Sequence, residues 1–284
     1  TRDNVIRDEN FAKAMAIVAT VARTRLAAAL FDALERRAAA TDDPDPAGRA
    51  ALYTAAARHL AQAAPDPAWQ TRKIVPRLGA PPCSLAELRG RARASKVYSA
   101  GQMSPVVARL VEAGHRVVAC DDDDPLVDLL AAVLGERPLA VDALCTALPL
   151  APSDMSPWTA LRDALAALLA ARKYKVEAVA VGRLAYPGSP VAARIAITQA
   201  RLGELTPVDE IGALASGWLT SGRVLVLSAD HPTLHHLCRV AAREPELAAY
   251  LTLKSFFLHG ELAPEQDAEL ASTAAEARWR RTER

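Results

Sequence analysis

A chain of 284 residues with 51% hydrophobic and 24% charged side chains can fill one or two packed cores, which excludes wholesale disorder. A formal net charge of +1, with no domain-scale surplus of Lys and Arg, argues against nucleic acid as the main partner. Four cysteines without a Cys-x-x-Cys pair exclude a metal knuckle, and no apolar run reaches the about 18–20 residues of a membrane span, so a cytoplasmic location with no membrane partner is expected.

Residues 8–37 place Phe11, Met15, Val18, Ala22, Leu26 and Leu30 at steps of three and four, which predicts one long helix with a single apolar stripe. The acidic and proline-bearing segment from Thr41 to Pro46 ends it. A second helix is expected over residues 47–64, presenting Leu52, Ala56 and Leu60. Five prolines in residues 65–82 predict an extended linker. Ser84-Leu-Ala-Glu87 is a capping box, whose Ser and Glu side chains answer unpaired amides of a first helical turn. After it come a strand at 96–99, a helix opened by Ser104-Pro105, a strand at 116–120, a helix opened by Asp124-Pro125 and an apolar run at 139–144. This βαβα series predicts a small, mostly parallel sheet.

Ser156-Pro157 opens a further helix with Leu161, Leu165, Leu168 and Leu169 on one face. Residues 176–185 and 191–198 read as strands joined by the turn Tyr186-Pro-Gly-Ser-Pro190. A short helix is expected from Thr206-Pro207 to about Trp218, then a third strand at 223–228. Three helices close the chain, at about 232–243, 245–259 and 264–280. The whole is an α+β chain of two domains. Residues 1–153 comprise a helical coil (1–64), a linker (65–83) and an α/β subdomain (84–153); residues 154–284 hold a three-stranded sheet and a terminal helical hairpin.

Four segments carry a family resemblance. Thr1-Arg2-Asp3 before a long helix is one, and Ser84-Leu-Ala-Glu-Leu88 with Lys96-Val-Tyr-Ser99 and Ser104-Pro105 is the second. The third is Glu177-Ala-Val-Ala-Val-Gly-Arg-Leu184 followed by Pro190-Val-Ala-Ala193, and the fourth, the most specific, is Leu225-Val-Leu-Ser-Ala-Asp-His-Pro-Thr-Leu234. In this order they resemble the ninety-kilodalton heat-shock chaperones, from the later middle domain to the C-terminal dimerisation domain. The sequence departs from that pattern at Ser228-Ala229, where the family usually carries Asn-Pro, and at Val5 and Ile6, where it carries an amide side chain. The resemblance implies a piece of a longer, divergent bacterial chaperone that binds unfolded or partly folded client proteins. It implies ATP and Mg²⁺ for the full-length protein, an ATPase through an N-terminal domain outside this chain, with no cofactor held here. It implies that Arg2, with Arg7 the competing position, reaches the nucleotide's γ-phosphate, a task suited to a planar, permanently charged guanidinium. It places client contacts at Val208, Ile211, Leu214, Trp218 and Leu219. A homodimer through the two terminal helices follows, using Leu247, Tyr250, Leu251, Phe257, Leu258, Leu262, Leu270 and Trp279.

Two other readings compete. His115-Arg-Val-Val-Ala-Cys120 leading into Asp121–Asp124 looks like the opening strand of a phosphoacceptor receiver, where clustered carboxylates hold Mg²⁺. No acidic residue ends the later run at 139–148, so a carboxylate-rich helix start is the preferred reading. A non-enzymatic oligomeric scaffold is the other. His231 and His235, four apart beside Asp230, have the spacing of a metal pair but no supporting ligand, and Asp230 reads as a helix N-cap; no metal site is expected. No nucleotide-cradling loop or nucleophile elbow occurs, so the chain alone is not expected to be an enzyme.

Overall fold

The computed structural model describes residues 8–21, 25–40, 45–62, 67–91, 96–212, 214, 222–257 and 262–283. The chain is α+β. The described residues up to Val141, apart from Ser104–Arg109, form one compact unit; Ser104–Arg109 and the described residues from Asp142 onward form another.

In the first unit the expected long helix is represented, among the described residues, by α1 (Glu9–Val21) and α2 (Ala27–Ala38). The expected stripe is not what is buried. Met15, Val18 and Leu26 are exposed, and α1 buries none of its residues. Burial falls instead on Ala27, Phe31, Leu34 and Ala38 of α2, of which Phe31 and Leu34 share a core with Tyr53 and Ala56 of α3 (Pro46–Gln62). In an Ala-rich sequence several faces satisfy the same spacing, and the face holding the large residues that find partners is the one that docks. Phe31 meets Trp69, on the single-turn α4 (Pro67–Gln70), edge to face at 4.0 Å.

The proline-rich linker is ordered by backbone pairing. Val75 bridges Cys83, and Arg77 bridges Val118 in antiparallel sense. The capping box opens α5 (Leu85–Arg91): Ser84 N–H donates to Glu87 Oε2 at 2.8 Å, and Glu87 N–H donates to Ser84 Oγ at 3.2 Å. The sheet is parallel, in the order β2 (Arg116–Ala119), β1 (Val97–Ala100), β3 (Leu139–Ala140). Between β1 and β2 in sequence runs α6 (Pro105–Glu112), whose first turn Ser104 caps through its hydroxyl. After β2 comes α7 (Pro125–Leu134), capped by Asp124, which accepts from Leu126 N–H at 2.9 Å.

The second unit holds a pair, β4 (Leu144–Cys145) with β8 (Thr206–Pro207), and a four-stranded sheet. That sheet runs in the order β5 (Leu148–Pro149), β6 (Val176–Arg183), β9 (Arg223–Ser228), β7 (Ala196–Gln199). The two strands expected to form a hairpin, β6 and β7, are therefore not neighbours: β9 lies between them, parallel to β6 and antiparallel to β7. The expected strand at 191–198 shrinks to four residues, because only Ala196–Gln199 faces β9. β9 takes the middle because Leu225-Val-Leu is apolar on both faces. Leu225 and Leu227 point into a large core, joined there by Leu161, Leu165, Leu168 and Leu169 of α8 (Thr159–Ala171). Val226 points the other way, into a small core with Ile197, Leu184 and Ile211. Helices α9 (Pro232–Ala241), α10 (Pro245–Phe257) and α11 (Pro264–Thr282) complete the large core.

Candidate interaction surface

The terminal helices α10 and α11 are antiparallel neighbours whose charges match at both ends. Glu244, just before α10, meets Arg278 near the end of α11 at 2.8 Å, and Glu246 meets Arg281 at 2.8 Å. At the other end Lys254 meets Asp267 at 2.6 Å, and Tyr250 O–H donates to Asp267 at 2.8 Å. The Lys254 ammonium, then the Tyr250 hydroxyl, hold the Asp267 carboxyl below its usual range, while Asp267 raises Lys254. Arg172 adds an ion pair to Glu269.

α10 turns Ala248, Ala249, Thr252, Leu253 and Phe256 inward, where they are buried. Its other side borders a groove of about 460 Å³, with Ala271, Ala274 and Ala275 of α11 among its lining residues and Leu247, Tyr250 and Trp279 beside them. Small side chains of α11 beside the large Leu247, Tyr250 and Trp279 make a surface that a similar helix pair can enter. Leu247 is 43% exposed and Trp279 61% exposed, both unusually open for their size. Tyr250, Leu251 and Leu262 are half-buried against the large core. Phe257 is half-buried too, its ring 5.9 Å from Tyr174 and 5.4 Å from Phe256. Leu270 is a correction: it is 1% exposed, already enclosed by its own chain, and is no contact for a partner. Leu258 lies outside the described residues.

The expected helix from Thr206 is replaced, among the described residues, by the short β8 and a single 3-10 turn at Val208–Glu210. Ile211 is 4% exposed and belongs to the small core, with Val208 packed on it, so Ile211 is corrected from client contact to core residue. The cause is the bare outer edge of β7. Ile211 C=O accepts from Thr198 N–H at 2.8 Å, and that edge pairing carries the Ile211 side chain inward. Leu214 packs partly on the large core. Trp218, Leu219, Arg2 and Arg7 lie outside the described residues.

Asp230 is also corrected. The N-cap of α9 is His231, whose Nδ1 accepts from Thr233 N–H at 3.3 Å. Asp230 Oδ2 instead accepts from the amides of Leu184 and Ala185, each at 3.1 Å, where the chain leaves β6. Ala229 N–H donates to Gly182 C=O at 2.8 Å beside it. Sequence reasoning missed this tie because its partners are 46 residues apart. The histidines do not converge: His235 packs against Trp158, ring centres 5.4 Å apart, and among the described residues no group of three His, Cys, Asp or Glu side chains could hold a metal ion. Of the acidic run, Asp124 caps α7 and pairs with Arg49 at 3.1 Å, and Asp122 accepts from Ser99 Oγ at 3.4 Å.

No family model matches the chain, and no curated protein matches it either. Among the described residues no helix is long and apolar enough to cross a membrane.

Proposed function

We propose that this chain is the dimerising and client-contacting part of an ATP-dependent chaperone resembling the ninety-kilodalton heat-shock class. One observation carries the reading. Two segments that carry the resemblance, Gly182-Arg-Leu184 and Asp230-His-Pro232, are distant in sequence yet adjoin at the ends of the neighbouring strands β6 and β9, tied by the Asp230 carboxylate. The open groove between α10 and α11 supports the second half of the reading, since a two-fold axis through it forms a four-helix bundle. Client contact falls to the segment from Leu214 to Leu219, and nucleotide chemistry to sequence outside this chain with Arg2 reaching toward it.

The test is holdase activity. A chemically unfolded enzyme diluted from denaturant aggregates and scatters light; the chain at equimolar concentration is expected to suppress that scattering, and W218S to weaken the effect. Full aggregation at about tenfold excess of the chain, with binding still undetected, contradicts client contact.

A further inference from the structure

The first unit contains an open cavity of about 740 Å³ that the proposed function does not use. Among its lining residues are three cations, Lys73, Arg77 and Arg116, two carboxylates, Glu35 and Glu87, and the buried Cys83. Both carboxylates have a cationic partner, although Arg72, which serves Glu35, also pairs with Asp32. Glu35 accepts from Arg72 at 2.6 and 3.1 Å, which holds its carboxyl below the usual range, and the Lys73 ammonium, with the Ser84 amide, takes Glu87 down to about 2. Among the described residues Arg77 and Arg116 have carbonyl partners: Arg77 Nε donates to Pro81 C=O at 2.7 Å, and Arg116 donates to Glu87 C=O. Among the described residues no carboxylate pairs with either guanidinium.

The backbone forces the two together. Arg77 lies opposite Val118 in an antiparallel bridge, so Arg116, two residues back along β2, is its diagonal neighbour on the same face. Diagonal neighbours stand about 7–8 Å apart, within reach of long side chains. An anion suits the pair: each guanidinium keeps forked N–H donors fitted to phosphate oxygens, and the three lining cations outnumber the two lining carboxylates. A cavity of this size suits a small molecule.

We propose that this cavity binds a small phosphate-bearing anion, free or esterified, through the guanidinium groups of Arg77 and Arg116. Calorimetric titration of the 284-residue chain with inorganic phosphate, and separately with ribose 5-phosphate, at constant ionic strength tests it. Saturable one-to-one binding is expected in at least one arm, and the tighter arm tells whether the free or the esterified group is the ligand. R77Q and R116Q are each expected to weaken binding about tenfold, the worth of one hydrogen bond to a charged group. R25Q makes the same change in net charge outside the cavity and is expected to leave binding unchanged. Amide shifts in the wild-type chain, which need no variant to fold, are expected at Cys83 and Gly90. Heats that never saturate by about 10 mM in either arm, equal weakening by R25Q, or shifts confined to other surfaces overturn the proposal.

Discussion

Asp230 and Ser228 stand two residues apart at the end of β9 and act in opposite ways. The Asp230 carboxylate serves two backbone amides, so D230A leaves both without an acceptor; unfolding by urea is expected to show a loss of about 1–3 kcal/mol. The Ser228 hydroxyl is fully buried and has no hydrogen-bond partner among the described residues, so S228A is expected to be neutral or to gain up to about 1 kcal/mol in the same measurement. A pH dependence belongs to Glu87, whose carboxyl is lowered from 4.5 to about 2, chiefly by Lys73. Its folded value lies below its unfolded one, so its stabilising effect is complete above about pH 4.5 and fades as pH falls toward 2. The gap in melting temperature between the wild type and E87A is therefore expected to be constant from pH 8 to about pH 5 and to narrow below that. The Glu87 role is legible in the sequence, because a capping box is complete within four residues. The Asp230 role is not, since nothing local tells an N-cap from an acceptor for a distant strand end.

At the scale of elements, two helix starts and one helix face were legible. Ser104-Pro105, Asp124-Pro125 and the leucine face of α8 all fall where spacing and capping chemistry put them. What spacing could not supply is choice among equivalent faces, as in α1 and α2, or strand length, which partner strands decide, as β9 does for β7. The α10–α11 surface was legible as an excess of large apolar residues, but not that Leu270 is absorbed internally while Trp279 stays out. Helix ends offer a further check. Gly135 closes α7 in the left-handed region, φ +85°, with open space where a Cβ would stand. G135A therefore meets no clash and pays for conformation alone, an expected loss of about 1–2 kcal/mol, with G135N losing less.

The whole molecule poses the question of what covers α10 and α11. Ion pairs at both ends fix the two helices to each other, and the buried side of α10 fixes them to the large core, so the groove between them is held open on a rigid support. In the proposed dimer a second copy would bring the same groove and the same two large side chains, and an isologous pairing would satisfy both at once. Truncating a central interface Trp commonly costs 2 kcal/mol or more, roughly a thirtyfold weakening. Sedimentation velocity over a hundredfold range of concentration, on the wild-type chain and on the double variant L247D/W279D, tests this most directly. The expected result is a dimer that persists to the lowest wild-type concentration and a folded monomer for the variant. A wild-type chain that sediments as a monomer at every concentration contradicts the account.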